Sequence, residues 1–253
     1  MTDPLLDTAK RAALAAGEAI LEVYAKDFSV AQKSNRTPVT EADLASERII
    51  LAFLEKAFPL IPVVSEERVE KEGLPSAGSR FWLVDPLDGT REFIAKNGEF
   101  TVNIGLVEDG RPRLGVVYAP ALRVLYAADG GGSAVRQREG GKSEPISARA
   151  APKEGLVVVH SRSHGDSLRL AEFLRDYPVE ERRSCGSALK FGLLAAGEAD
   201  LYPRFGATME WDTAAGQAIL EAAGGRVLTF SGAPLAYGKP LLKNDGFVAW
   251  GRG

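Results

Sequence analysis

The sequence predicts a two-part chain, an α+β first half followed by an α/β second half, with the change near residue 150. Three observations carry that reading. Apolar residues recur at helical spacing up to Phe58, a series of short apolar runs joined by turn signals follows, and beyond residue 150 strand-like and helix-like stretches alternate.

Leu6, Ala9, Ala13, Ala16, Ile20 and Tyr24 recur every three or four residues behind Asp3-Pro4, a cap followed by proline at the first helical position. A second helix starts near Thr40, presents Leu44, Leu51, Leu54 and Phe58 on one face, and stops at Pro59. The runs "IPVV", "FWLV", "FTVNIGLV", "RLGVVY" and "VLYAA" read as strands, and Asp109-Gly110 inside "VEDGRP" marks a hairpin turn. Residues 1–150 therefore read as helices on a mostly antiparallel sheet. After the glycine-rich "DGGGS" and the polar "REGGKSEP", residues 151–253 give strand "LVVVH", helices near 167–176 and 187–197, strand "ADLY", a helix near 213–223 and strand "RVLTF".

Composition narrows the function classes. With 253 residues, 45% hydrophobic and 26% charged, the chain can bury a full core and carries no disorder-like bias. A net charge of −3 provides no basic footprint for a nucleic acid partner. The single cysteine, Cys185, excludes an intrachain disulfide framework and fits a reducing compartment. Neither a signal peptide nor an apolar stretch of about 18 residues is seen. The reading is a cytoplasmic protein without a transmembrane segment, with peripheral membrane association left open.

The chemistry concentrates in "FWLVDPLDGTREF", where Asp85 and Asp88 follow a fully apolar run. Two carboxylates beside a buried strand repel each other and lose hydration unless a cation or a set of donors replaces the water. Hard oxygen ligands select Mg²⁺, Ca²⁺ or Mn²⁺, whereas two histidines and one cysteine make a zinc site improbable. Glu66-Glu67 behind "IPVV" and Asp212 in "MEWDTAAG" stand at element ends as well, where a scaffold can aim ligands into a cleft. Gly89 permits close backbone approach, and the amides around Thr90 can face an oxyanion. Local explanations stand beside this one. Asp212 can cap its helix, Thr40-x-x-Asp43 is an acceptable capping box, Glu66-Glu67 can be a solvated turn, and "DPLDG" can be a proline turn. A Ser-His-Asp nucleophile has no Gly-x-Ser-x-Gly elbow to support it, and neither a Walker A loop nor a dinucleotide fingerprint is present.

Read in order, Asp43, "SEE", "WLVDPLDGT" and "WDTAAG" resemble the signature of the inositol monophosphatase superfamily, magnesium-dependent and lithium-sensitive phosphatases. Within it, "DGTREF", "NGEFTVNIGLVEDGRPRLGVVYAP", "SRSH" and the stretch from "GSALK" through "EAAGG" look like the 3′(2′),5′-bisphosphate nucleotidase branch, of CysQ type. Glu92 stands where inositol monophosphatases usually carry asparagine. The resemblance implies a layered αβαβα sugar-phosphatase fold of two lobes with the active site between them.

It also implies a ligand set. Glu66, Asp85 and the Leu87 carbonyl would hold one Mg²⁺, and Asp85, Asp88 and Asp212 a second, an arrangement that clamps the attacking and leaving oxygens of an in-line displacement. Thr90 and Asp43, assisted by Glu66, would take the proton of the attacking water. The superfamily has room for a third ion, with Glu67 the nearest candidate to assist. Positions matching His164, Ser187, Lys190 and Arg204 would contact the nucleotide, with Gly89 and Thr90 at the phosphate. Ser187-Ala188 departs from the frequent Ser-Ser, which removes one hydroxyl. By residue type alone, Lys190, Arg204 and His164 read equally as a solvated lysine, a surface arginine and a loop histidine.

The expected activity is hydrolysis of adenosine 3′,5′-bisphosphate to AMP and phosphate, with 3′-phosphoadenylyl sulfate as a second substrate and sulfate assimilation as the setting. Lithium inhibition and homodimers are implied by resemblance, without an interface legible in the sequence. An inositol monophosphatase or fructose-1,6-bisphosphatase is the alternative within enzymes, and a catalytically silent metal- or nucleotide-binding module the alternative outside them.

Overall fold

The computed structural model describes residues 3–32, 38–75, 78–139, 141–162 and 167–252. The first half contains α1 (Pro4–Tyr24), β1 (Val30–Gln32), β2 (Pro38–Thr40), α2 (Glu41–Ala57), β3 (Val63–Ser65), α3 (Glu66–Glu72), β4 (Arg80–Asp88), α4 (Thr90–Ile94), β5 (Thr101–Glu108), β6 (Arg111–Ala119), β7 (Val124–Ala128), β8 (Ala134–Arg138) and β9 (Glu144–Ile146). The second contains β10 (Leu156–Ser161), α5 (Ser167–Phe173), β11 (Val179–Cys185), α6 (Leu189–Ala195), β12 (Leu201–Arg204), β13 (Thr208–Met209), α7 (Ala214–Ala222), β14 (Arg226–Thr229), β15 (Lys243–Asn244) and β16 (Phe247–Trp250).

Strands β3 to β9 form a seven-stranded sheet in sequence order, antiparallel except for the parallel β3–β4 pair. The second sheet runs β11-β10-β12-β16-β14 and is mixed, because β10 pairs in parallel with both β11 and β12. Layers follow from which side chains each face must bury. Along β4, Trp82 and Val84 enter the core under α1 and α2, while Phe81 and Leu83 enter the core facing α6 and α7. A strand buried on both faces reads as a continuous apolar run, which is what "FWLV" is. Leu170 and Leu174 of the α5 region cover the far side of the second sheet with Leu156, Val158, Leu201 and Val248. The order of layers is thus helix, sheet, helix, sheet, helix, the layered fold of sugar phosphatases.

The middle layer depends on two glycines. A Cβ on Gly115 would lie 2.2 Å from the Ala215 carbonyl oxygen, and one on Gly105 would lie 2.9 Å from the Ala215 amide nitrogen. Only strands without side chains at these positions let the first turn of α7 rest on β5 and β6, and that seat brings Asp212, just before α7, up to the first sheet.

Several expectations shift. The buried face of α2 is Ala42, Asp43, Ser46, Glu47, Ile50 and Leu54, so Leu44 of the anticipated face is 37% exposed and the helix is rotated toward its polar residues. Strand β4 continues through the aspartates instead of ending before them. Helices expected near 167–176 and 187–197 are shorter, and β8, β9, β11 and β16 were not marked by apolar alternation. Strand β11, "VEERRSC", is largely exposed at a sheet edge, where charge discourages pairing with another chain.

Candidate active site

Strand alternation alone would send Asp85 and Asp88, three positions apart, to opposite faces of the sheet. A bulge prevents this. Asp85 pairs with Asn103 and Asp88 with Thr101, so three steps along β4 match two along β5 and both carboxylates leave on one side. Pro86 sits inside the bulge, where the ladder is interrupted and a missing N–H is tolerated. The buried Asp85 accepts from the Leu87 amide at 3.0 Å. Asp88 Oδ2 accepts from Asn103 Nδ2 at 3.2 Å and from the Ala188 amide at 2.6 Å. Gly89 then turns the chain into α4 with φ 90° and ψ 43°, a left-handed conformation that suits glycine.

Helix α2 forms the back wall through three polar residues at i, i+3 and i+4. Ser46 Oγ donates to the Pro86 carbonyl at 2.7 Å, holding the bulge. Glu47 Oε1 accepts from Ser65 Oγ at 2.5 Å and from the Arg68 amide at 2.9 Å, which fixes the start of α3 and hence Glu66. Asp43 divides its oxygens. Oδ2 accepts from the Thr40 amide at 2.8 Å and Thr40 Oγ1 at 2.7 Å, completing the capping box, and Oδ1 accepts from Thr90 Oγ1 at 3.3 Å. The cap and Thr90 therefore bond different oxygens of the same carboxylate. Thr90 Oγ1 also lies 3.4 Å from the Leu87 carbonyl oxygen.

Asp212 arrives from the second half on the 3₁₀ turn Glu210–Asp212, which packs against β4. Its Oδ2 accepts from the Met209 amide at 2.8 Å, and the N-cap position of α7 falls to Thr213, whose side chain makes no capping bond. Burial raises the Asp212 pKa well above the usual carboxylate range, and the charges of Asp88 and Glu66 push it further. Burial also raises Asp88, opposed by Lys190, Asn103 and the Ala188 amide.

Glu66, Asp85, Leu87, Asp88, Gly89, Thr90 and Asp212 line one cleft of about 220 Å³, together with Ser187, Lys190 and Arg204. Glu67 is buried outside that lining. Lys190 is 3% exposed, and its Nζ donates to the carbonyls of Ser187 at 2.5 Å and Cys185 at 3.1 Å and lies 5.0 Å from the centre of the Tyr202 ring. Burial lowers its pKa. Arg204 donates to the carbonyls of Gly206 at 3.2 Å and Ala207 at 3.3 Å, and Ser187 holds a left-handed φ of 48°. His164 lies outside the described residues.

Among the described residues no three His, Cys, Asp or Glu side chains converge into a ready-made ion cage. The aspartates turn to nearby amides instead. The donor set nevertheless fits a hard divalent cation: carboxylates and a carbonyl on one wall, with like charges crowded enough to raise Asp212, a repulsion that such a cation reverses.

The inositol monophosphatase family model matches residues 1–249. The chain belongs to the inositol monophosphatase family. Enzymes of this family are metal-dependent phosphatases, generally using Mg²⁺. Among its members, the 3′(2′),5′-bisphosphate nucleotidase CysQ of Escherichia coli O157:H7 is 47% identical over 246 residues, covering 96% of this chain and 98% of its own. The crystal structure of CysQ from Bacteroides thetaiotaomicron superimposes with a TM-score of 0.83 at 38% identity, over 98% of this chain and 97% of that one. An inositol monophosphatase from Anabaena (Nostoc) sp. PCC 7120 superimposes with a TM-score of 0.78 at 28% identity, over 97% and 90% of the two chains.

Sequence reasoning missed Asn103, Ser46, Glu47 and the Ala188 amide. For α2 a signal existed: Asp43, Ser46 and Glu47 are polar residues at helical spacing on one face. The Ala188 amide carries no side-chain signal at all.

Proposed function

We propose that this chain is a Mg²⁺-dependent 3′(2′),5′-bisphosphate nucleotidase that converts adenosine 3′,5′-bisphosphate into AMP and phosphate and also accepts 3′-phosphoadenylyl sulfate, recycling a by-product of sulfate assimilation. The observation that carries the reading is the Thr90–Asp43 hydrogen bond at the edge of a cleft lined by Glu66, Asp85, Asp88 and Asp212.

In this reading Glu66, Asp85 and the Leu87 carbonyl would hold one cation, and Asp85, Asp88 and Asp212 a second. When bound, the cations neutralise phosphate oxygens and acidify water. Thr90 gives its own proton to Asp43 Oδ1, so its oxygen lone pairs are free to receive a proton from water attacking phosphorus. Asp43 is kept ready as the acceptor because Thr40 occupies its other oxygen and fixes the rotamer. Arg204, Ser187 and Lys190 of the cleft lining would contact the nucleotide, the role that the sequence also suggests for His164. Lithium inhibition, homodimerisation and a cytoplasmic setting belong to the same proposal, the last supported by the single cysteine.

Phosphate release from adenosine 3′,5′-bisphosphate, inositol 1-phosphate and fructose 1,6-bisphosphate, each with and without Mg²⁺, tests it. Mg²⁺-dependent preference for the nucleotide is expected. Preference for inositol 1-phosphate refutes the nucleotidase assignment, and absence of turnover refutes the phosphatase.

A further inference from the structure

Ser187 and Ala188 line the cleft from the loop Cys185–Ala188, which belongs to the second half but is fastened to the first at two points. Ala188 donates to Asp88, and the Gly186 amide donates to Glu99 Oε2 at 2.9 Å. Glu99, between α4 and β5, also accepts from Arg162 Nη2 at 2.8 Å and Nε at 3.3 Å, and the same Nη2 reaches the Ser184 carbonyl at 3.1 Å. Arg162 belongs to the "SRSH" motif, yet its guanidinium is spent on Glu99 and the loop backbone. The fit is close: a Cβ on Gly186 would lie 2.5 Å from the Glu99 carbonyl oxygen and 2.6 Å from Glu92 Cγ. Ser187, between the two fastenings, holds its left-handed conformation, which a non-glycine residue keeps only where its surroundings impose it.

We propose that Glu99 and Arg162 form a clamp across the two halves that positions the Cys185–Ala188 loop for the nucleotide, and so sets substrate selectivity without touching the reacting atoms. The proposal rests on the nucleotidase reading and names what holds its nucleotide-facing loop. A carboxylate that accepts from a guanidinium and a backbone amide together fixes the loop in one register, whereas an unclamped loop samples several and grips a large substrate less well. A small phosphate ester, held at the acidic wall alone, does not sense the difference.

The test compares wild type, Glu99→Ala, Arg162→Ala, Arg162→Lys and the double variant Glu99→Ala/Arg162→Ala, in Mg²⁺, on adenosine 3′,5′-bisphosphate and p-nitrophenyl phosphate. Each single loss is expected to raise KM for the bisphosphate about tenfold, the scale of one charged hydrogen bond. Turnover of both substrates and KM for p-nitrophenyl phosphate stay within about twofold of wild type, a margin below the cost of one neutral hydrogen bond. Arg162→Lys recovers part of the loss, and the double variant is no worse than the poorer single. Amide exchange at Gly186 accelerates in Glu99→Ala, which removes the acceptor of that amide. An unchanged bisphosphate KM, equal losses on both substrates, or unaltered Gly186 exchange overturns the clamp. Wild type that hydrolyses only the small ester overturns the nucleotidase reading itself, and the selectivity proposal with it.

Discussion

Replacing Gly115 by alanine tests whether the seat of α7 governs the site. The new Cβ would stand 2.2 Å from the Ala215 carbonyl oxygen, against the 3.4 Å at which ordinary contact begins, a shortfall of about 1.2 Å. The obstacle is backbone inside a helix, so it cannot rotate away, and β6 is held on both sides by β5 and β7. The remaining response is for α7 to retreat, and Asp212, two residues before Ala214, moves with it. Overpacking of this kind costs about 1–3 kcal/mol, which for a domain of this size lowers Tm by roughly 2–12 °C. A displacement near 1 Å at a group that must meet the reacting phosphate is expected to lower kcat/KM about 10²-fold. Thermal melts and steady-state kinetics on one preparation read both. Wild-type kcat/KM in a variant whose Tm has fallen would show that Asp212 is aimed independently of α7. Wild-type Tm would show that the glycine is not needed for the packing.

Thr90→Ala is expected to lower kcat about 10²- to 10⁴-fold with little change in KM, while Thr90→Ser retains most activity, since only the hydroxyl passes the proton. Equal losses in the two variants would contradict the relay. Asp85→Asn should abolish turnover while the circular dichroism spectrum is kept; near-full activity would rule out a shared ligand. The Asp212 pKa is raised in the folded protein, so between the unfolded carboxylate pKa, near 3.8, and the folded value the native state holds a proton that the unfolded chain has released. Stability of the metal-free protein therefore falls as pH rises through that window, and added Mg²⁺ stabilises more at pH 8 than at pH 5. Melts with EDTA and with Mg²⁺ at both pH values check this, and an equal or larger gain at pH 5 would contradict it.

Local pattern made much of the fold legible. Helical spacing from Leu6 to Tyr24 marked α1, whose Ala9, Ala13, Ala16 and Ile20 are buried, and "FWLV" marked a strand covered on both faces. Strands β8 and β11 escaped because they are rich in charged residues and lack apolar alternation: those of β11 are mostly exposed, and in β8 Arg136 is half-buried in ion pairs with Glu144 and Glu198. In α2 the leucine spacing found only part of the buried face: Leu54 is buried and Leu51 and Phe58 pack against the core, whereas Leu44 is exposed, because Asp43, Ser46 and Glu47 occupy buried positions from which they bond distant segments, a role that periodicity cannot reveal.

The sequence by itself determined the order of elements, the acidic motifs that carry the family signature, and the residue types from which a hard-cation phosphatase site can be assembled. Those properties are local, set by side-chain chemistry and spacing along the chain. Only the tertiary structure decided that a bulge turns Asp85 and Asp88 to one side, that Asp43 serves a cap and Thr90 at once, that Lys190 spends its charge on loop carbonyls, and that Glu99 and Arg162 tie the two halves together. Each of these depends on hydrogen bonds between residues far apart in the chain or on backbone groups without a side-chain signature, and such partners are fixed only when the sheets have paired and the helices have packed.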